Sequence, residues 1–293
     1  MGKVDHLIFN ELEPFSEEKR TIRETIKTIT EFMQLRSGLT ISKPYPAGSF
    51  EKNTMIRGRG EVDIVYYLSP GSTEGWLGAD FRRSLRQVFK QSQKYLPGSK
   101  QHRRKFRAIR LLFKGLEADI LLGLETITPQ SIRNQDASIK AYIRPSVALY
   151  QVEWWRERGE NYHQQLNHLV WLAKHWVARK KGRKLCSSYA LELMVIHACE
   201  DFLAEENYEE LFTRLVRWIV NTRLSGKYYF RKYYQEDVLT HYPLNRLNLW
   251  DPADPTNNIA TRYNGLSNKR GMAFVEYAED ALSRIEKNNW DFL

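Results

Sequence analysis

The sequence predicts an α+β fold in two parts, a mixed half with a sheet followed by a half built of helices. Two strand-like regions lie in the first half, an apolar run at 61–68 and a later hairpin that turns at Lys114–Gly115. In the second half the apolar residues recur with helical period, over 154–181, 187–204, 207–222 and 270–287. We therefore expect two domains, 1–147 and 148–293.

The composition limits the classes of protein that this chain can represent. Its 293 residues carry a formal net charge of +10 and a pI near 9.4, which favours an anionic partner, either nucleic acid or nucleotides. Two cysteines, Cys186 and Cys199, are too few for a disulfide scaffold or for a structural zinc site built mainly of thiolates. No apolar run approaches the ~20 residues of a membrane span. We expect a cytoplasmic protein that binds neither zinc nor a membrane.

The first long helix is predicted over residues 16–36. Ser16 is the predicted N-cap, and two acidic residues follow it in the first turn. An apolar face for the core is formed by Ile22, Ile26, Ile29 and Met33. The opposite face is basic and carries Arg20, Arg23 and Lys27. We expect this helix to bridge the two halves, and its basic face, taken alone, is most simply a solvated surface.

A strongly basic segment follows, with eleven Lys or Arg and no acidic residue between Arg82 and Arg110. On its predicted helix, 80–95, a ridge of basic residues recurs every four positions, at Arg82, Arg86, Lys90 and Lys94. Like charges at this spacing repel each other, so the ridge lowers local stability. It is either a solvated face or a surface that binds a polyanion, and the long run of bases without an acid favours the second.

Acidic residues interrupt two otherwise apolar strands. Glu61 and Asp63 begin the strand at 61–68 and share one face, because side chains alternate along a strand. Neighbouring carboxylates repel, and a cation such as Mg²⁺, which takes carboxylate and phosphate oxygens, relieves the repulsion. Asp119 in "LEADILLGL" is a candidate third ligand. The alternative for Glu61 and Asp63 is an ordinary exposed strand entry.

The turn "AGSF" before this strand decides between these alternatives. Gly48 lets the backbone approach a ligand closely, and Ser49 offers a hydroxyl and an N–H to a phosphate. Gly-Ser about a dozen residues before an acid-x-acid strand resembles the pattern of the nucleotidyltransferase superfamily. Four blocks are similar to segments of 2′-5′-oligoadenylate synthetases (OAS): "GSFEKNTMIRGRGEVDIVYYL", "LAKHW", "SSYALELMVIHACE" and "LWDPADPTNNIA". The chain is identified as an OAS-like member of the cGAS/DncV-like nucleotidyltransferases (CD-NTases).

This resemblance implies a fold and a set of catalytic roles. The fold would be a polymerase-β-like mixed sheet followed by a helical domain, with the active site in the cleft between them. Gly48 and Ser49 would hold the phosphates of the donor nucleotide. Glu61 and Asp63 would bind two Mg²⁺ or Mn²⁺ ions. Asp119 would bind the catalytic ion and help to deprotonate the acceptor hydroxyl.

The resemblance also implies roles for the helical half. Lys174 would meet the triphosphate, Tyr189 would stack on a nucleobase, and Ser188 would cap its helix or hydrogen-bond the nucleotide. The alternatives without a function are that Lys174 is a solvated lysine and that Tyr189 is half-buried in the core. Asp251 and Asp254 in "DPADPT" are expected to be turn and cap residues rather than metal ligands.

Some positions depart from the pattern of the animal synthetases. Glu61 stands where they have Asp, and the wider superfamily allows either. Asn53 replaces a glycine of their phosphate turn, Leu122 replaces a proline after the third acid, and Ser188 replaces a glutamine. Because these changes lie near the nucleotide, they leave the base and the linkage of the product open. The chain has no Cys/His cluster for the zinc ribbon of cyclic GMP-AMP synthase.

Three functions fit these observations. The first is template-independent synthesis of a linear or cyclic oligonucleotide messenger from nucleoside triphosphates, ATP among them, in antiviral or antiphage signalling. The second is addition of nucleotides to an RNA 3′ end, and the third is a non-enzymatic RNA-binding relic. The three acids argue against the relic, and the blocks in the helical half favour the first function. By resemblance, double-stranded RNA would dock on the basic helices as an activator; the alternative is a constitutive enzyme.

Overall fold

A computed structural model describes residues 2–69, 78–96, 99–104, 108–136, 140, 142–161, 164–180, 185–203, 207–239, 246–262 and 269–293. The chain divides into two compact units. Pro14–Trp155 form the first, here called the sheet unit, and Met1–Glu13 together with Arg156–Leu293 form the second, the helical unit. The sequence predicts a domain boundary between residues 147 and 148. The division found lies a few residues later and assigns the first thirteen residues to the helical unit.

The helices of the described residues are, in chain order, α1 Lys3–Leu7, α2 Ser16–Arg36, α3 Gly48–Glu51, α4 Gly78–Tyr95, α5 Pro129–Ile132, α6 Ala148–Asn161, α7 Gln165–Arg179, α8 Ser188–Cys199, α9 Tyr208–Thr222 and α10 Lys269–Ile285. A π-helical turn, Ile8–Leu12, follows α1, and a 3₁₀ turn, Arg144–Val147, precedes α6. Of the described helices, none combines the length and the apolar character that crossing a membrane requires.

The strands are β1 Ile41–Ala47, β2 Glu61–Leu68, β3 Ser99–Arg104, β4 Ala108–Phe113, β5 Leu116–Leu124, β6 Gly226–Tyr228, β7 Leu247–Asp251 and β8 Asp254–Asn258. The first five form one sheet in the order β1-β2-β5-β4-β3. Strands β2 and β5 lie at its centre and run parallel, whereas the other neighbours are antiparallel. The predicted turn between β4 and β5 is confirmed, and Lys114 and Gly115 both adopt positive φ there.

Each central strand of the sheet unit has one fully buried face. Val62 and Ile64 on β2, and Ala118 and Ile120 on β5, have no exposed surface. Helix α2 contacts β1 and β2, and Thr30 on this helix hydrogen-bonds the Tyr66 hydroxyl at 3.1 Å. Burial of this apolar face against α2 fixes the register of β2, because a slip by one residue would exchange its two faces.

The opposite face of β2 is apolar only at its far end. Val65 and Tyr67 pack there with Ala47 and Ala148. The Tyr67 hydroxyl donates to the Ser146 carbonyl at 2.9 Å and anchors the segment before α6 over the sheet. The first two residues on this face are Glu61 and Asp63, which this cluster does not include. The acidic residues therefore lie at the end of the face where the apolar packing stops.

The helical unit has an apolar helix at its centre. Helix α8 is hydrophobic on all sides, with Leu193, Met194 and Val195 fully buried, as expected of a central core helix. The expectation of a purely helical second half is wrong, because β6, β7 and β8 form a three-stranded sheet in this unit. These strands are three to five residues long and rich in Asn, Asp and Pro, so their sequence carries little strand signal.

The α+β class is confirmed. Helix α2 has the predicted bounds, but its start differs in detail. Ser16 is the first helical residue, and Phe15 occupies the N-cap position without a side-chain hydrogen bond to the helix. Ile22, Ile29 and Met33 are buried as predicted, whereas Ile26 is half-buried. Helix α2 lies wholly within the sheet unit.

Candidate active site

Four carboxylates share one face of the two central strands. The sequence Glu-x-Asp-Ile occurs in both, at 61–64 of β2 and at 117–120 of β5. The parallel register aligns the two copies, so Glu61 is the neighbour of Glu117 and Asp63 is the neighbour of Asp119. Neighbouring residues of paired strands have Cβ atoms about 5 Å apart. Two of the three acids named from the sequence, Asp63 and Asp119, are thus brought together by strand pairing.

Arg110 lies within this group of acids, which we call the acid cluster (Glu61, Asp63, Glu117 and Asp119). Its position on β4 is directly opposite Asp119. Nε and Nη2 donate to the two oxygens of Asp119 at 2.7 and 2.9 Å, and Nη1 and Nη2 donate to those of Glu61 at 3.0 and 2.9 Å. Nη1 also donates to Glu117. These contacts raise the pKa of Arg110, first through the hydrogen bond to Asp119, so the guanidinium remains charged.

The surroundings of Asp63 perturb its ionisation. Burial, the largest cause, and the negative charges of Asp119 and Glu61 together raise the pKa of Asp63 to about 6. The positive charges of Lys52 and Arg110 act in the opposite direction. Lys52 is itself buried and lies 5.5 Å from the ring centre of Trp155. The ionised form of Asp63 is therefore costly unless a further positive charge approaches it.

The Gly-Ser turn lies directly beside Asp63. Strand β1 pairs with β2 so that Ala47 is opposite Asp63, and α3 begins at the next residue, Gly48. Gly48 has φ +67°, and a Cβ at this position would lie 2.0 Å from Oδ2 of Asp63. Glycine is therefore required both by the backbone conformation and by the close approach of the carboxylate. Asn53, which stands where the animal synthetases have glycine, has φ 56°, a left-handed conformation that asparagine tolerates.

In the helical unit, Lys174 is engaged by a buried acid. Its Nζ donates to Oε1 of Glu192 at 2.7 Å, and both side chains are largely buried. An ammonium group has three donors, so this ion pair orients Lys174 without using all of them. The predicted contact with a triphosphate stays a prediction.

Tyr189 is half-buried, and Ser188 beside it is exposed. The Tyr189 hydroxyl donates to Oδ1 of Asp251 at 3.1 Å. Burial raises the pKa of Tyr189 well above its ordinary value, so the hydroxyl stays protonated and acts as a donor. The predicted N-cap role of Ser188 is wrong, because the cap is Ser187, whose hydroxyl accepts from the Ala190 N–H at 3.1 Å. Base stacking by Tyr189 and a nucleotide contact of Ser188 stay predictions.

Asp251 and Asp254 are turn residues, as expected. Oδ1 of Asp251 accepts from the Ala253 N–H at 3.0 Å, and Oδ1 of Asp254 accepts from the N–H of Thr256 at 2.9 Å. Both aspartates are fully buried in the hairpin that joins β7 and β8. Their carboxylates brace this turn.

The basic residues named from the sequence lie on exposed helix positions where the structure describes them. On α2 the exposed residues are Arg20, Arg23 and Lys27, and on α4 they are Arg86, Lys90 and Lys94. The side chain of Arg82 lies outside the described residues. Arg20 is bonded to Glu17 of its own helix at 2.7 Å, so part of the charge on α2 is compensated locally.

Two residues of this site are missing from the sequence-based prediction, Glu117 of the acid cluster and Arg110, which contacts the cluster. Glu117 had a signal, because "EADI" repeats the pattern of "EVDI" two residues before the recognised Asp119. Arg110 was counted only as one base of a basic segment. Its role depends on strand register, since the pairing of β4 with β5 places it opposite Asp119.

The donor chemistry of the acid cluster fits a hard divalent cation. Carboxylate oxygens are the ligands that Mg²⁺ prefers, and the close approach of Gly48 leaves the Asp63 carboxylate directly beside the Gly-Ser turn. Within the described residues, however, no group of three or more His, Cys, Asp or Glu side chains is arranged to hold a metal ion. The positive charge bonded to these acids in the structure is the Arg110 guanidinium, which is paired with Glu61 and Asp119.

Comparisons with known proteins agree with the fold and with the motifs. Residues 151–289 match the family model described as 2′-5′-oligoadenylate synthetase 1, domain 2, C-terminus. The chain is 25% identical to 2′-5′-oligoadenylate synthase 2 of Bos taurus, covering 88% of this chain and 41% of that protein. It is 24% identical to 2′-5′-oligoadenylate synthase 1A of Rattus norvegicus, covering 88% and 84%. The chain thus spans about two fifths of the bovine relative and most of the rat one.

Two solved structures share the fold over almost the whole chain. A CdnC:HORMA-deltaN complex from E. coli MS115-1 contains a chain with a TM-score of 0.73 and 19% identity, covering 98% of this chain and 91% of that one. The Cid1 poly(U) polymerase, solved with Mg 3′-dATP bound, gives a TM-score of 0.67 and 12% identity, covering 99% and 95%.

The sheet order, the paired acids and the Gly-Ser turn define the class, a polymerase-β-like nucleotidyltransferase. Within it, the match to the synthetase domain over residues 151–289 and the relatives above agree with an OAS-like nucleotidyltransferase, and the CdnC chain shares the fold. The recognition made from the sequence motifs is confirmed.

Proposed function

We propose that this chain joins nucleoside triphosphates, without a template, into a linear or cyclic oligonucleotide that serves as a messenger in antiviral or antiphage signalling in the cytoplasm. The observation that carries the proposal is the register of β2 and β5, which pairs Asp63 with Asp119 beside the turn at Gly48. Acids held side by side next to an anion-binding turn suit the joining of a hydroxyl to a phosphate. ATP is the first substrate to test.

The acids have distinct roles in this proposal. Glu61, Asp63 and Asp119 would hold two Mg²⁺ or Mn²⁺ ions, which supply Lewis-acid activation of the attacking hydroxyl and charge stabilisation at the leaving pyrophosphate. Asp119 would also accept the proton of the acceptor hydroxyl. Its side chain is 13% exposed, so it is shielded from bulk water but not sealed from substrate.

The residues proposed to bind nucleotides are those that the resemblance indicates. Gly48 and Ser49 would offer backbone N–H groups and a hydroxyl to the donor phosphates, since the turn into α3 starts with a left-handed residue. Lys174, oriented by Glu192, would contact the triphosphate. Tyr189 would stack on a base, which is worth ~1–3 kcal/mol and tolerates any base. Ser188, which is exposed, would hydrogen-bond the nucleotide.

We further propose that double-stranded RNA activates the enzyme by docking on the exposed bases of α2 and α4. The exposed members of this surface are Arg20, Arg23, Lys27, Arg86, Lys90 and Lys94. Contacts to the phosphate backbone of a duplex are specific for shape and sensitive to salt. Duplex affinity should fall steeply between roughly 50 and 200 mM salt, and R86E/K90E should abolish it without changing Mn²⁺ binding. An affinity for duplex RNA that does not change with salt would contradict the proposed activation by RNA.

A second candidate function is addition of nucleotides to an RNA 3′ end. The likeness to the Cid1 poly(U) polymerase supports it, because the same fold serves that protein. In this case the basic helices would hold the acceptor RNA instead of an activator.

One assay separates these functions. Purified protein is incubated with the four nucleoside triphosphates and Mg²⁺ or Mn²⁺, with and without duplex RNA, and the products are separated by chromatography after phosphatase treatment. We expect a new phosphatase-resistant product that D63A does not form and that RNA increases. Extension of an added RNA primer, with no such product, would replace the proposal by the tailing function. Neither product under any condition would contradict both.

A further inference from the structure

One guanidinium engages two of the three side chains proposed to hold metal. Arg110 forms paired hydrogen bonds with both oxygens of Asp119 and with both oxygens of Glu61, at 2.7 to 3.0 Å. Paired contacts of this kind are the strongest that arginine makes with a carboxylate. The inference that follows rests on the proposed function, because it concerns the same acids.

The position of Arg110 is fixed by strand pairing, and its side chain is not a freely exposed one. Strand pairing of β4 with β5 places it opposite Asp119, and its side chain is 19% exposed against 13% for Asp119. Charges in such a partly buried place are screened less than surface charges. Four carboxylates on one face need a compensating charge, and Arg110 provides it from a fixed position in the sheet.

Glu117 differs from the other acids that Arg110 contacts. It accepts a hydrogen bond from Nη1 but is not among the side chains assigned to metal. Its side chain is 44% exposed, and in the register it is the neighbour of Glu61. A carboxylate in this place can keep the guanidinium when Asp119 and Glu61 are taken by another cation.

We propose that Arg110 competes with the divalent ion for Asp119 and Glu61, and that Glu117 is the carboxylate that retains Arg110 when the ion binds. Arg110 holds the acids at their working spacing before metal arrives. It then has to release at least one oxygen of Asp119, since the guanidinium engages both oxygens and the ion needs one of them. Arg110 and Glu117 are thus positioning residues that set the metal affinity of the site.

The two residues should have opposite effects on metal affinity. Without Arg110 the competitor is gone, so R110Q should bind Mn²⁺ about tenfold more tightly than the wild type. Without the charge of Glu117, Arg110 remains on Asp119 and Glu61, so E117Q should bind Mn²⁺ severalfold more weakly. The double variant R110Q/E117Q should behave as R110Q, because Glu117 acts only through Arg110. R110K keeps the charge without the paired geometry and should lie between the wild type and R110Q.

The experiment titrates the full chain with Mn²⁺ and follows the electron paramagnetic resonance signal of the free ion, without nucleotide. Controls for the charge changes are R133Q and E125Q, which remove an exposed charge of the same sign outside the cluster. D63A defines which binding belongs to the site. Metal-free melting is recorded in parallel, and R110Q should melt at a lower temperature than R133Q, because the acids then face each other uncompensated. If R110Q does not fold, R110K and E117Q carry the test.

The outcomes distinguish this inference from the proposed function. Saturable, Asp63-dependent Mn²⁺ binding that is equal in the wild type, R110Q and E117Q would overturn the inference alone and leave the metal site standing. Weaker binding by R110Q would also overturn it and would make Arg110 a support of the site. If no variant shows Asp63-dependent binding, both the inference and the proposed metal site are wrong.

Discussion

Asp63 in the sheet unit and Asp251 in the helical unit both have a raised pKa, but the groups that surround them differ. In the sheet unit, Asp63 has its pKa raised to about 6 by burial and by the charges of Asp119 and Glu61. In the helical unit, Asp251 has its pKa raised to about 6 by burial and by the charge of Asp254. Both carboxylates are costly to ionise for the same two reasons.

Their partners differ. Asp251 accepts hydrogen bonds from Tyr189 at 3.1 Å, from the Ala253 N–H at 3.0 Å and from Asn257 at 3.0 Å. For Asp63 the favourable influences are the charges of Lys52 and Arg110. Asp251 thus has fixed donors from its own hairpin and from α8, whereas Asp63 depends on nearby cations. A raised pKa therefore does not by itself separate a structural acid from a candidate catalytic one, but the kind of partner does.

The largest expected effect that tests this contrast is on the free energy of unfolding. D251A removes the acceptor of several buried donors, and each unsatisfied donor costs about 1–3 kcal/mol, so we expect a loss of about 3 kcal/mol or more. D63A removes a carboxylate whose charged form the fold disfavours, so its stability should stay within about 1 kcal/mol of the wild type. Urea unfolding of both variants, without metal, gives the comparison.

The measurement has a natural internal check, since the two variants delete the same atoms. D254A should resemble D251A, because Asp254 is also fully buried and accepts from the backbone and hydroxyl of Thr256. A loss in D63A as large as that in D251A would mean that Asp63 is structural, and the contrast between the two groups would fail.

The contrast also shows which parts of the site a sequence can reveal. Strand β2 was found with correct bounds, because its six apolar residues alternate with two acids at the start and then form a continuous run. Asp119 was found because it interrupts an apolar strand. Arg110 could not be found in this way, since its contact with Asp119 comes from the antiparallel register of β4 and β5, which local patterning does not specify.

The fold was less predictable where strands are short or polar. Strand β3, Ser99–Arg104, consists of six polar residues at the edge of the sheet and gives no apolar alternation. Strand β8, Asp254–Asn258, contains proline and asparagine, which local propensity assigns to turns. Its burial comes from tertiary packing, which local sequence does not show. The helical periodicity of the second half therefore did not predict the small sheet.

A smaller effect is expected at Gly48. G48A places a Cβ 2.0 Å from Oδ2 of Asp63 and forces alanine into a left-handed conformation that costs about 1–2 kcal/mol. The matched control is G58A, because Gly58 has φ +69° and a Cβ there would meet nothing within 4 Å. G58A therefore measures the backbone cost alone, and the excess loss in G48A measures the clash with Asp63.

Displacement of Asp63 should also reach the proposed metal site. We expect G48A to weaken Mn²⁺ binding and G58A to leave it unchanged. Equal destabilisation of the two variants, with equal Mn²⁺ affinity, would show that the close approach of Gly48 to Asp63 has no functional consequence.

The smallest expected effect is the pH dependence of stability contributed by Asp251. Its carboxyl has a pKa of about 6 in the folded chain against an ordinary value of 3.8, so the folded state binds more protons than the unfolded state between these values. Stability must then fall as the pH rises through this window and recover as the pH is lowered. D251N has no proton to bind at this position and lacks that contribution.

The measurement is urea unfolding of the wild type and D251N in EDTA at four pH values from about 4.5 to 7.5. The stability of the wild type relative to D251N should improve steadily toward the acid end, since the charges of other groups, Asp63 included, are common to both chains. A difference that stays constant with pH would place the titration of Asp251 outside this window. The fixed donors of the hairpin would then outweigh burial, and Asp251 and Asp63 would differ in ionisation as well as in partners.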